Sequence, residues 1–211
     1  EALVDARLQH ITSIRRDLHQ NPELGNREIR TAKIVAAELK KLGYEVQTGI
    51  AHTGVVGILK GGKPGPKLVI RADMDALPVT EEVDLPFASK AKGEYQGKQV
   101  GVMHACGHDV HTSTTLGVAS ALASLRKDLP GEVMMIFQPA EEGAPAGEEG
   151  GAPLMVKEGV FNNFKPDALF GMHVTSMYHV GMVALRPGGI MAGSDTFRMV
   201  VHGKQTHGAT P

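Results

Sequence analysis

Apolar residues recur at three- and four-residue spacing at Leu8, Ile11, Ile14 and Leu18, which lays one stripe along a helix over residues 5–18. A second helix is predicted after Asn26, which can cap it. Ile29, Ala32, Ala36 and Leu39 form its buried face, and Gly43 stands where a left-handed residue would end it. Short β patterns follow at residues 44–46 and 55–59, and a glycine-rich turn over 61–65 leads into a strand over 67–71. Residues 111–125 are small and apolar and read as a buried helix. The run GEVMMIF at 131–137 has no polar face and reads as a strand covered on both sides. A helix over 153–158 and strands over 168–172 and 180–185 complete the pattern.

Strands that alternate with helices at this pace predict an α/β fold with a largely parallel central sheet flanked by helices. In such sheets chemistry collects beyond the carboxyl ends of the strands. This chain places polar residues there: Asp73 and Asp75 after one strand, Glu141 and Glu142 after the next, and His173 after a third. The segment 143–151, rich in Gly and Glu, reads as an exposed loop beside them. At Pro187-Gly188-Gly189 the texture changes and a new strand is expected at 197–201. The division this suggests is a catalytic domain over 1–186 and the start of a small α+β domain over 187–211.

Composition narrows the partners. Among 211 residues, 42% are hydrophobic and 21% charged, with a formal net charge of -1, so the chain can bury a core and carries no basic face for nucleic acid or lipid headgroups. No apolar run approaches the roughly 20 residues that span a bilayer. Compartment stays open between a cytoplasmic and an exported protein whose signal peptide has been removed. With one cysteine, Cys106, there is no intrachain disulfide, and the thiol becomes a candidate for chemistry.

Cys106 and His108 flank Gly107, which permits a tight turn, so thiolate and imidazole can aim at one metal, and Asp109 can steady the imidazole. By itself such a pattern is more often a buried, inert cysteine. In the pair Glu141-Glu142 neighbouring side chains diverge, so one carboxylate can ligate while the other serves as base. A lone histidine such as His173 is usually a satisfied core residue, and its weight comes from sharing a sheet end with the others. His104 and His111 lie near the cluster. His10, His19, His52, His179 and His202 have no motif around them and read as surface or packing residues.

Taken in order, RADMDALP at 71–78, MHACGHDVH at 103–111, QPAEEG at 138–143, GMHV at 171–174 and GKQTHGATP at 203–211 resemble the metal-dependent amidohydrolases. That family includes hippurate hydrolase, N-acyl-amino-acid amidohydrolases and auxin-conjugate hydrolases, relatives of aminoacylase and the zinc exopeptidases. The resemblance implies a zinc-exopeptidase-like catalytic domain with two divalent ions (zinc, manganese, cobalt or nickel) and a lid domain through which a homodimer or higher oligomer forms. It implies Cys106, His108, Glu142 and His173 as metal ligands and Glu141 as general base. Asp75 would support the site from behind the ligands, and His207 would approach the substrate carbonyl. The implied substrate is a small N-acyl amino acid or similar conjugate, with a metallo-dipeptidase or exopeptidase, or a non-catalytic metal-binding relative, as the alternatives.

The wider family places a ligand histidine where Asp73 stands, so this branch takes that ligand from the Cys106-Gly107-His108 turn. The family's last ligand is a histidine far beyond the lid, so the chain reads as a piece of a longer protein that alone binds metal poorly. Two rival chemistries remain: a thiol hydrolase using Cys106 as nucleophile, and a zinc nucleobase deaminase, whose H-x-E and P-C-x-x-C order is absent.

Overall fold

A computed structural model describes residues 2–210 apart from 194, 196 and 198. It divides into two compact units, Glu1–Val174 and Thr175–Pro211. In the first, the elements run α1 (Ala2–Gln20), α2 (Ile29–Lys41), β1 (Glu45–Ile50), β2 (Gly54–Lys60), β3 (Lys63–Asp73), β4 (Lys92–Tyr95), β5 (Lys98–Gly101), α3 (His108–Ser124), β6 (Pro130–Gln138), α4 (Gly151–Lys157) and β7 (Ala168–Gly171).

The central sheet has the order β1-β2-β6-β3-β7. β6, β3 and β7 are parallel, whereas β1 and β2 join as an antiparallel edge. The alternation of side chains along β6 builds both cores. Val133, Met135 and Phe137 face Ile14, Leu18, Val35, Leu39 and Leu116 from α1, α2 and α3, while Met134 and Ile136 face Val56, Val69, Leu154, Met155 and Phe164 on the other side. Each fully buried side chain of this size contributes about 1.5–3 kcal/mol.

Several local expectations change. Leu8 and Ile29 are exposed, so the stripe on α1 is buried only toward its C-terminal half, and α2 buries Thr31, Val35, Ala36 and Leu39 instead. Asn26 does not cap α2. Its backbone is left-handed at φ 59, and its amide donates to Glu148 Oε2 and the Glu149 carbonyl at 3.0 Å each. The first turn is capped from outside the helix by Glu23, whose carboxylate accepts the N–H groups of Arg30 at 2.9 Å and Thr31 at 2.8 Å. Gly43, at φ 81, does end that helix in the left-handed region.

β3 begins as early as Lys63 and carries a register shift before Lys67. The hairpin of β4 and β5 escaped the pattern because its residues are polar and largely exposed; Gln96 and Gly97, at φ 51 and 75, form its turn. In the second unit, residues 180–185 are irregular rather than a strand, since their side chains are exposed and bury no face. The strand expected over 197–201 includes Arg198, which lies outside the described residues.

Candidate metal centre

β3 lies between β6 and β7 and runs parallel to both, with Asp73 opposite Gln138 and Arg71 opposite Gly171. The three strands therefore leave the sheet at the same end, and the segments carrying Asp75, Glu141-Glu142 and His173 emerge side by side. The fourth contribution comes from the start of α3. Gly107 precedes it at φ 88, and a Cβ there would stand 2.5 Å from Val174 Cγ2, so both backbone and space demand glycine. This turn places Cys106 and His108 on its two sides.

His108 is completely buried and donates from Nδ1 to Asp75 Oδ1 at 3.2 Å. Its Nε2 has no hydrogen-bond partner. Around that atom stand carboxylate oxygens: Asp73 Oδ1 and Glu141 Oε2 at 3.7 Å and Glu142 Oε1 at 3.8 Å. Carboxylates gathered around an unpartnered imidazole nitrogen form an arrangement that a cation satisfies, with Asp75 fixing the imidazole from behind. Asp75 Oδ2 also accepts the N–H of Glu142 at 2.9 Å, tying the two strand-end loops together.

His173 donates from Nδ1 to the Val174 carbonyl at 2.6 Å, which leaves its Nε2 3.4 Å from Cys106 Sγ. The donor atoms of Cys106, His108 and His173, and likewise those of His108, Glu141 and Glu142, lie within 4.8 Å of one another. A soft thiol, imidazoles and carboxylates in such proximity fit divalent cations of the zinc type. The structure thus brings Cys106, His108, Glu142, His173, Glu141 and Asp75 together. His207 belongs to the second unit, where its Nδ1 accepts the N–H of Ala209 at 3.2 Å.

Electrostatics follow from this crowding. Burial raises the Glu141 carboxyl, the neighbouring Asp73 and Glu142 charges add to the effect, and His108 opposes it. Burial raises Asp73 too, but the hydrogen bond from His111 and the charges of His108 and Arg71 more than reverse this and hold it at about 2. His108 is lowered by burial, yet its bond to Asp75 and the surrounding carboxylates raise it on balance. The Cys106 thiol is pushed up to about 12 by burial and then by Glu142, Glu141 and Asp73. A cysteine nucleophile is favoured by a lowered thiol, the opposite of this direction.

Two features were not read from the sequence. Ala140, immediately before the acidic pair, is left-handed at φ 46, and the buried Glu28 accepts its N–H at 2.8 Å and the Thr53 hydroxyl at 2.5 Å. His19 is buried and joins Asp109 Oδ2 at 2.8 Å to Glu81 Oε1 at 3.1 Å. Glu28 stands among charged neighbours, Arg27 and Arg30, so nothing local marks either feature. His111 bonds Asp73 rather than standing apart, whereas His104 is buried with neither ring nitrogen partnered and is lowered to about 4, by burial above all. Among the described residues no helix is long and apolar enough to cross a membrane.

Comparison with known proteins finds relatives along nearly the whole chain. Thermostable carboxypeptidase 2 of Saccharolobus solfataricus is 48% identical over 202 residues, covering 95% of this chain and 48% of that protein. Hippurate hydrolase of Campylobacter jejuni is 44% identical over 198 residues, covering 94% of this chain and 48% of the relative. The chain thus spans about half the length of the curated relatives it matches. The crystal structure of Bacillus subtilis YxeP, described as a dinuclear metal binding peptidase from the M20 family, superposes with a TM-score of 0.70 at 42% identity, over 81% of this chain and 44% of that one. The family model described as Peptidase family M20/M25/M40 matches residues 69–208, a span that runs from β3 through every strand end described above. The chain belongs to Peptidase family M20/M25/M40.

Proposed function

We propose that the protein carrying this chain hydrolyses the amide bond of N-acyl amino acids or similar small conjugates. The observation that carries the reading is the unpartnered, buried Nε2 of His108 facing the carboxylates of Glu141 and Glu142, beside Cys106 and His173. Two divalent ions held by Cys106, His108, Glu142 and His173 would supply a water nucleophile at neutral pH and polarise the substrate carbonyl. Zinc suits the donor set, with manganese, cobalt and nickel as the other candidates.

Glu141 acts as general base. Its raised carboxyl lies nearer working pH than a free side chain, so Oε2 can take the proton of the attacking water and pass it to the leaving amine. Asp75 keeps His108 oriented through Nδ1. His207 donates to the oxygen on which charge develops, a contribution of roughly 3 kcal/mol for such donors. Residues 187–211 begin a lid domain through which homodimers form.

A carboxypeptidase reading is favoured by the 48% identity to thermostable carboxypeptidase 2. The whole natural protein should be assayed on hippurate, N-acetyl amino acids and dipeptides, with and without added metal. Turnover of acylated amino acids above dipeptides supports the first reading and the reverse order the second. Near-normal turnover in Glu141→Gln would overturn both. Cys106→Ala should lower the bound-metal stoichiometry, and an unchanged count removes Cys106 from the ligand set.

A further inference from the structure

We propose that His111 is not a metal ligand but a latch: Asp73 fixes its ring so that Nε2 holds the backbone that aims His173. The inference rests on the metal centre proposed above. Asp73, His108 and His111 also bring donor atoms within 4.8 Å of one another, so by proximity alone they form a possible third metal group. Hydrogen bonding decides otherwise.

Arg71 Nη1 donates to Asp73 Oδ2 at 2.6 Å, and the other carboxylate oxygen, Oδ1, lies 2.6 Å from His111 Nδ1. A carboxylate accepts only, so Nδ1 carries the hydrogen. At the far side of the ring, the backbone N–H of Val174 points at Nε2 with an N···N distance of 2.9 Å. An amide N–H donates only, so Nε2 is bare and its single lone pair is used. Two partners on opposite sides of the ring thus demand the same neutral tautomer. A cation at Nε2 would have to displace a backbone amide from a ring that is 1% exposed.

The latch answers a weakness in the fold. β7 has four residues and, among the described residues, pairs only with β3, so the loop beyond it has little else to hold it. Val174 is gripped at both backbone groups, its N–H by His111 and its carbonyl by the Nδ1–H of His173. Its side chain sits where a Cβ on Gly107 would collide with it. The direction of His173 Nε2 toward Cys106 therefore passes through Val174 to His111, then to Asp73, which Thr112 Oγ1 also holds by its carbonyl at 2.8 Å. His111 is a positioning residue.

The test uses the whole natural protein uniformly labelled with nitrogen-15, observed by NMR without metal and after loading with spin-active cadmium ions. The expected spectrum shows His111 as the neutral Nδ1–H tautomer, scalar coupling across the hydrogen bond between Val174 N and His111 Nε2, and cadmium coupling at His108 and His173 but none at His111. Cadmium coupling at His111, or an Nε2–H tautomer, overturns the latch. Absence of cadmium coupling at His108 and His173 would instead overturn the metal centre, while the tautomer and the Val174 coupling in the metal-free protein still decide the latch. His111→Ala should weaken cadmium binding about 10–100-fold, as loss of partners behind metal ligands does; undiminished affinity in the folded variant also overturns the proposal.

Discussion

The inner wall and the open rim of the centre both carry carboxylates and imidazoles and behave oppositely. On the wall, Asp73, Asp75, His108 and His111 are at most 1% exposed, and their carboxylates are bonded to imidazoles, backbone or Arg71. On the rim, Cys106, Glu141, Glu142 and His173 keep a donor atom turned to the opening. Asp73 is consequently held low although it is 1% exposed, while Glu141 is raised although its side chain is 39% exposed beside His108. The difference teaches that burial alone does not set a carboxylate's chemistry; whether its oxygens find donors does.

The comparison breaks most visibly at the rim. Glu141→Gln should reduce turnover about 100- to 10,000-fold, leaving thermal stability and bound metal unchanged, because only a proton carrier is lost. Steady-state rates beside metal analysis check this, and a fall in metal content of the same size would move Glu141 into the ligand set. On the wall, Asp75→Asn should weaken metal binding about 10–100-fold, measured by competition with a chromophoric chelator, since the carboxylate that orients His108 Nδ1–H is gone. Equal affinity would show that the wall orients nothing.

Smaller effects lie behind the wall. Glu23→Ala removes the acceptor for two N–H groups at the start of α2 and should cost about 1 kcal/mol in chemical denaturation, the size of other lost helix caps. Glu28 is raised, by burial above all, so across that window the folded protein binds more protons than the unfolded one. Its contribution to stability therefore grows as pH falls through the raised folded value toward the unfolded one. In Glu28→Gln, whose amide can still accept from Ala140 and donate to Thr53, that slope should vanish, seen as the difference between the two denaturation-versus-pH curves.

Elements with strong local logic were legible. The largely apolar β6 and the small-residue helix α3 appear where their hydrophobic runs stand, and Gly43 ends α2 as its position suggests. Boundaries set by distant partners were not. Asn26 looked like a cap, yet Glu23 supplies that function from outside the helix and frees Asn26 to hold the loop at Glu148 and Glu149. The exposed hairpin of β4 and β5 buries too little to leave a hydrophobic period, and residues 180–185 have the composition of a strand without a face to cover.

The order of residue types along the chain determined which groups are available: a thiol and an imidazole around Gly107, an acidic pair after an apolar strand, a histidine after another. Periodicity determined that strands and helices alternate, because side-chain direction repeats with the backbone. Only the tertiary structure decided that β3 lies between β6 and β7, which brings the three strand ends together, and that His111 gives its lone pair to Val174 rather than to a cation. Hydrogen-bond partners across such separations depend on where the sheet places each backbone group, and no local pattern encodes that.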